Sequence, residues 1–358
     1  MIQRIWFTIV WGTIKLGLFF YSKKITVLGA QNIPKKGAVL FAVNHPNGLV
    51  DPLYITTTNR RRNHFLVRAA SFKKPFIKKI LESLYLLPIY RIRDGIKQLA
   101  NNKEIFEKCH TILKNSETLM IFPEGSHNKK RTVRPLSKGF TRIVFGALEK
   151  YKDLDITIIP VGITYQHPSH FPANVIVNYG HPITTRNIYE ANVLAKSIHI
   201  LKDEVSAQLK KLSVHIPDDE EYDTILQKLT DAQVDFTEVD KVNEMITNNS
   251  FPDKKAPKKN HLKPLYFLII LNSIVPYLIW KKVAKKIDEI EFIDTFRFAL
   301  NLFLFNFFYC LQAYVLNIYF GPIIGLFYLT TSAFIVLVYS RLAPTNAEKH
   351  IEFNEVGK

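Results

Sequence analysis

Short apolar runs alternate with longer amphipathic stretches from about residue 25 to 212. The runs "AVLFAV" (38–43), "HFLVRA" (64–69), "TLMIF" (118–122), "ITIIPVGI" (156–163) and "VIVNYG" (175–180) are of strand length and are punctuated by Pro and Gly, so they predict strands. Helical spacing over 73–85, 95–114, 139–150 and 189–212 predicts helices between them. Strands alternating with helices predict an α/β fold whose sheet is covered on its faces. In such sheets ligands gather beyond the carboxyl ends of the strands, which is where chemistry should be sought.

The pattern changes at both ends of the chain. "IWFTIVWGTIKLGLFFY" (5–21) is an apolar helix interrupted by Lys15, and no small-residue cleavage site precedes Lys23 and Lys24, which argues against a removed signal peptide. It is short for a crossing, so it is expected to lie on or dip into one leaflet, with a true span as the alternative. Residues 216–262 form an acidic, weakly helical segment entered through "DDEEYD" and closed by the Lys- and Pro-rich linker "NNSFPDKKAPKKNHLK". Farther on, "FALNLFLFNFFYCLQAYVLNI" (298–318) and "PIIGLFYLTTSAFIVLVYS" (322–340) are each about one bilayer long, and predict a transmembrane hairpin over 297–341. No Asp, Glu, Lys or Arg lies between Phe298 and Ser340. "PLYFLIILNSIVPYLIW" (264–280) has lysines crowding both flanks, so a crossing would put one cluster on the wrong side. A re-entrant or interfacial segment over 263–281, bent at Asn272 and Pro276, avoids that conflict.

Charge narrows the partners. A formal net charge of +17 on 358 residues implies something acidic: nucleic acid, an anionic membrane surface or a phosphorylated metabolite. The 47% hydrophobic content is high for a nucleic-acid module, and the basic runs "RRRN" and "NKKR" hold no aromatics to stack on bases. Cys109 and Cys310 suggest neither a disulfide framework nor a zinc site, and no metal or other cofactor is expected. The catalytic part is expected to face a reducing cytosol.

Two of the predicted strands run into polar turns. In "LFAVNHPNGLVDP" (40–52), Asn44 and Pro46 can shape a turn, Gly48 lets it bend, and Asp51 before Pro52 reads as the N-cap of a helix. That account leaves His45 unexplained. In "TLMIFPEGSHNKKR" (118–131), Glu124 stands at a strand end where a purely structural charge would be costly, and Gly125 permits positive φ or close backbone approach. Basic residues follow both turns. Arg91 and Arg93 in "LLPIYRIRDG" come directly after an apolar run, at another expected strand end, where a guanidinium could clamp a phosphate through two parallel hydrogen bonds, and Lys138 in "PLSKGF" could add charge to the same anion.

The blocks "NHPNGLVD", "LPIYR", "FPEGSH" and "IIPVGITY" occur in the order and approximate spacing of the four signature blocks of the glycerolipid acyltransferase superfamily, which the chain resembles over roughly residues 25–200. The resemblance implies a mixed sheet flanked by helices, and the shifts in hydropathy and composition divide the chain into a membrane-associated helix (1–24), a catalytic domain (25–215), the acidic segment with its linker (216–262) and a membrane region (263–358). It also implies that His45 is the catalytic base and Asp51 its orienting partner. Arg91, Glu124 and Gly125 would bind glycerol phosphate, and the stretch around Pro160 would place acceptor or acyl chain.

Two departures stand out. Five residues separate His45 from Asp51 where the common pattern has four, a spacing that resembles fungal-type glycerol-3-phosphate acyltransferases. Ser126 and His127 replace the usual threonine and arginine, so anion binding would rest on other bases.

The implied reaction moves an acyl group from an acyl-CoA or acyl carrier protein thioester to glycerol 3-phosphate or a lysophospholipid, at a membrane. With no G-x-S-x-G elbow and no histidine-paired cysteine, direct transfer without an acyl-enzyme is the simpler expectation. Another lysolipid acceptor, such as an amino-acid lipid, and a non-enzymatic lipid-binding protein on a membrane anchor remain as alternatives.

Overall fold

The computed structural model describes residues 2–91 and 95–347. In chain order the elements begin with α1 (Ile2–Tyr21), β1 (Lys24–Leu28), β2 (Ala38–Val43), α2 (Val50–Thr58), β3 (Asn63–Arg68), α3 (Pro75–Ser83) and β4 (Leu86–Ile89). They continue with α4 (Asn102–Lys114), β5 (Thr118–Ile121), α5 (Gly139–Lys150), β6 (Ile156–Tyr165), β7 (Asn174–Tyr179), β8 (Ile183–Thr184) and α6 (Leu194–Leu212). Then come α7 (Tyr222–Asp231), α8 (Val239–Thr247), α9 (Lys263–Asn272), α10 (Ile274–Ala284), α11 (Ile293–Leu300), α12 (Asn306–Phe320) and α13 (Pro322–Leu342), with a π-helical stretch over Asn301–Phe305.

The strands form one mixed sheet in the order β1-β7-β6-β2-β5-β3-β4, with β8 beside β6. β6 pairs antiparallel with β7 and β8, and the other pairings are parallel. The carboxyl ends of β2, β3, β4, β5 and β6 therefore share one edge. All six residues of β2 are buried because both faces of this central strand are covered, which is why it reads as an unbroken apolar run. Ala38, Leu40 and Ala42 face a core closed by α4, α5 and α6; Val39, Phe41 and Val43 face one closed by α1, α2 and Phe298 of α11.

The five strands predicted from the sequence are present within two residues at either end. Of three more, β1 and β8 were not anticipated, and β4 answers to the strand end expected just before Arg91. β4 carries Pro88 and sits at the sheet edge, where a missing N–H is tolerated; β1 is a short, half-exposed edge strand; β8 has two residues. α7 and α8, in the acidic segment, pack their apolar faces with Ile176 of β7 into a separate core cluster.

Among the described residues two helices are long and apolar enough to cross a membrane, Ile290–Phe320 and Pro322–Leu342. α9 and α10 meet at 97°, a broken span or a re-entrant loop, and the break falls at Ser273 rather than at Pro276, which lies inside α10.

Candidate active site

β2 delivers His45 to the carboxyl edge of the sheet. The Asn44 side chain clamps the turn to β6, its amide donating to the Ile163 carbonyl (3.1 Å) and its oxygen accepting the Ile163 N–H (2.7 Å). Two residues past the strand, His45 Nδ1 lies 2.8 Å from Asp51 Oδ2. Asp51 is fully buried and also accepts the Asn47 N–H (2.7 Å) and the Tyr165 hydroxyl (2.5 Å). Asp51 does not cap α2 as the sequence suggested: the helix begins at Val50, the cap position is Leu49, and the carboxylate is occupied by these three donors instead. The Phe122 ring stacks on the imidazole with centroids 3.8 Å apart and planes 17° from parallel.

Burial, followed by the charges of Arg134 and Arg91, pushes the His45 pKa down to about 3. The imidazole is therefore neutral at pH 7, with Nδ1 engaged by Asp51 and Nε2 left as the basic nitrogen. Burial raises the Asp51 carboxyl, opposed by the Tyr165 hydroxyl and the Asn47 N–H.

β5 delivers the second turn. Gly125 has φ of 78°, in the left-handed region where a side chain would be strained. Glu124 turns inward and pairs with Arg134 Nε at 2.7 Å, while the two Nη atoms of Arg134 bond Ser126 Oγ (2.8 Å) and the Ser126 carbonyl. Burial is the main influence on Glu124 and raises its pKa, with Arg134 opposing it. Arg91, just beyond β4, donates to the Gly125 carbonyl at 3.3 Å, so the second and third motifs meet. Arg93 lies outside the described residues. Lys138 is exposed at the cap position of α5, tied to the Glu124 turn through the neighbouring Ser137 N–H to Pro123 carbonyl bond (2.8 Å).

A cleft between the two turns and the end of β6 is lined by His45, Glu124, Lys129, Arg131, Thr164 and Tyr165. Lys129 is buried and donates to Ser169; burial lowers its pKa to about 8. Sequence reasoning missed Arg134, Tyr165 and Asn47. Tyr165 ends the fourth motif and was within reach, since a tyrosine at the carboxyl edge faces the same cleft. Arg134 gave no separate signal inside a basic run.

Residues 24–164 match the Acyltransferase family model. The chain is 21% identical over 295 residues to an uncharacterized acyltransferase of Schizosaccharomyces pombe, covering 58% of this chain and 43% of that one. It is 24% identical to glycerol-3-phosphate O-acyltransferase 1 of Saccharomyces cerevisiae, over 34% of this chain and 16% of that one. It is 25% identical to 1-acyl-sn-glycerol-3-phosphate acyltransferase of Borreliella burgdorferi, over 59% of this chain and 82% of that one. The chain thus spans less than half the length of these two fungal relatives and most of the bacterial one. Residues 24–164, which hold His45, Asp51, Arg91, Glu124 and Gly125, thus match the Acyltransferase family model, in a chain similar to proteins named as glycerol-3-phosphate and 1-acyl-sn-glycerol-3-phosphate acyltransferases.

Proposed function

We propose that this protein transfers a fatty acyl group from an acyl thioester to a hydroxyl of glycerol 3-phosphate or of a lysophospholipid, with His45 as general base. One arrangement carries the reading: a neutral imidazole at the strand edge, its Nδ1 held 2.8 Å from a buried carboxylate. As the acceptor oxygen attacks the thioester carbonyl, its proton passes to Nε2 of His45. Asp51 stabilises the imidazolium that forms. The tetrahedral intermediate then collapses with loss of the thiolate, which takes the proton back.

General-base help of this kind is worth about 10²- to 10⁴-fold, or about 3 to 5 kcal/mol, so positioning supplies the rest. Arg91 and Arg134 supply the positive field for an acceptor phosphate, and Glu124 orients Arg134 through their ion pair. Cys109 is no candidate for an acyl-enzyme: it is buried in the core, and burial pushes its thiol up to about 12. The two apolar C-terminal helices would keep the site at the bilayer, where product and acyl chain reside, with the catalytic domain on the cytoplasmic face.

The test is release of free CoA from acyl-CoA by purified protein in detergent, with glycerol 3-phosphate and a panel of lysolipids as acceptors and identification of the product. His45→Ala should lower turnover by about 10²- to 10⁴-fold. Turnover at the wild-type rate in that variant would refute the mechanism.

A further inference from the structure

The loop from His45 to Asp51 is not held by the catalytic domain alone. Its backbone donors Asn47, Gly48 and Leu49 are each satisfied in a different way. The Asn47 N–H goes to Asp51 itself (2.7 Å). The Gly48 N–H goes to the Glu291 carbonyl (3.1 Å) and the Leu49 N–H to Thr295 Oγ1 (2.9 Å), both in the segment that opens the first membrane-length helix. A side chain at Gly48 would meet Thr295, Glu291 and Phe292 at 2.9–3.0 Å, so this approach demands a glycine there.

The Asn47 side chain makes the decisive link. Its amide donates to Asp294 Oδ2 (2.8 Å) and to the Pro168 carbonyl (2.9 Å). Asp294 is buried, and its other oxygen accepts the Tyr21 hydroxyl (2.8 Å) and Arg297 Nη1 (3.0 Å); Arg297 Nη1 also donates to the Ser169 carbonyl (2.9 Å). Beside the imidazole, His127 stands 5.7 Å from His45 between ring centroids, and Glu289 lies 3.2 Å from His127. A buried carboxylate at the foot of an apolar helix, bonded to three donors from three parts of the chain, is a costly feature if it only joins two elements.

We propose that Asp294 is a positioning residue for the His45–Asp51 pair, acting through Asn47, so that the pair is in register only while the head of the membrane hairpin is docked on the loop. This rests on the reading of His45 and Asp51 as the reacting pair. The hairpin then completes the active site as well as anchoring it. The loop between the two residues leaves two backbone donors, Gly48 and Leu49, that the head of the hairpin satisfies.

Three variants test this in the full chain in detergent. Asp294→Asn keeps shape and removes charge; it should lower kcat by about tenfold or more while leaving KM for donor and acceptor within about threefold, because the loss is in alignment. Asn47→Ala should lie on the same path, so the double variant should be no slower than the slower single one; effects that multiply would overturn the proposal. Arg341→Ala loosens the other end of the hairpin, where Arg341 bonds the Ser22, Lys23 and Phe19 carbonyls, and should leave kcat within about twofold. An equal loss there would assign the effect to general docking and overturn the role of Asp294. If Asp294→Asn does not fold, Thr295→Val replaces it, and an unchanged kcat in that variant overturns the proposal. A substrate-free measurement keeps this separate from the functional reading: the rate at which diethyl pyrocarbonate modifies His45, followed by peptide mapping, should rise in Asp294→Asn as the loop loosens. Should the wild type turn over no acceptor, the functional reading falls, and unchanged labelling would overturn the positioning role on its own.

Discussion

His45 makes a prediction about pH that follows from its surroundings. A folded pKa of about 3 against about 6.5 in an unfolded chain means that the unfolded state takes up the proton first as pH falls. Stability is therefore lost on acidification through the window from about 6.5 to about 3, at up to about 1.4 kcal/mol per pH unit for this one group. Wild type should lose melting temperature more steeply than His45→Gln across that window in a detergent melt; parallel curves would contradict the assignment. A second prediction concerns Glu124, whose side chain is 4% exposed and pairs with Arg134 at 2.7 Å. Arg134→Met should destabilise by about 3 kcal/mol, near the low end for a broken buried pair because Arg134 keeps some solvent, and Glu124→Gln in the same chain should recover part of it. At this scale the sequence was legible where partners are close together. His45 and Asp51 lie in one short segment, so their spacing could be read. Arg134 is indistinguishable from its basic neighbours until the loop folds back on Glu124, and Asp294 is separated from Asn47 by 247 positions, beyond what any local pattern carries.

The elements show which patterns carry information and which do not. Strands buried on both faces, such as β2 and β6, announce themselves as unbroken apolar runs. Edge strands do so less clearly, because their residues are only partly buried and a proline is admissible in them, so β1 went unread and β4 was legible only as a strand end before Arg91. A strand end alone does not tell where in the sheet its strand lies, so the link of Arg91 to the Gly125 carbonyl, which depends on β4 following β5 and β3 in the strand order, was not legible. The fourth motif has an element-scale role that its composition does not reveal. Gly162, in β6, is where the end of α6 comes down on the sheet: a Cβ there would lie 2.2 Å from the Leu212 carbonyl oxygen. Gly162→Ala should therefore push α6 off the sheet and cost about 1 to 3 kcal/mol, read as a drop in the denaturation midpoint. Because Ile163, the next residue, is clamped by Asn44, the same substitution should also lower kcat. A variant with wild-type stability would show that α6 is not held at this contact.

At the scale of the whole molecule the question is how the apolar C-terminal region is threaded relative to the domain. Both ends of the hairpin are docked on the same body. The first helix starts at the Asn47–Asp294 contact, and the second returns to it through Arg341, through the Lys23 ammonium bonded to the Ala343 carbonyl (2.6 Å), and through Thr345 bonded to the Pro172 carbonyl (2.8 Å). The 21 residues of α13 rise about 31 Å, enough for a hydrocarbon core of about 30 Å. The turn at Gly321 is thus expected on the opposite side of the bilayer from the domain. The linker before α9 is strapped to the same docked end, with the Lys258 N–H on Asn346 Oδ1 (2.9 Å) and Tyr266 stacked on Tyr339. α10 must then bring the lysines in and just past its last turn, Lys281, Lys282, Lys285 and Lys286, back to the domain side so that the chain can reach Asp294. That geometry suits the 97° bend and keeps both lysine clusters on one face of the membrane, where each contributes about 1 kcal/mol against anionic lipid. Single cysteines at Lys259, Lys285 and Tyr319, the last beside the turn, in a Cys109→Ala, Cys310→Ser background, read this out in sealed vesicles with the domain facing outward. A membrane-impermeant maleimide should label positions 259 and 285 directly and position 319 only after permeabilisation. Position 285 needing permeabilisation would make α9 and α10 a full crossing, and position 319 reacting in sealed vesicles would mean that the hairpin does not cross at all.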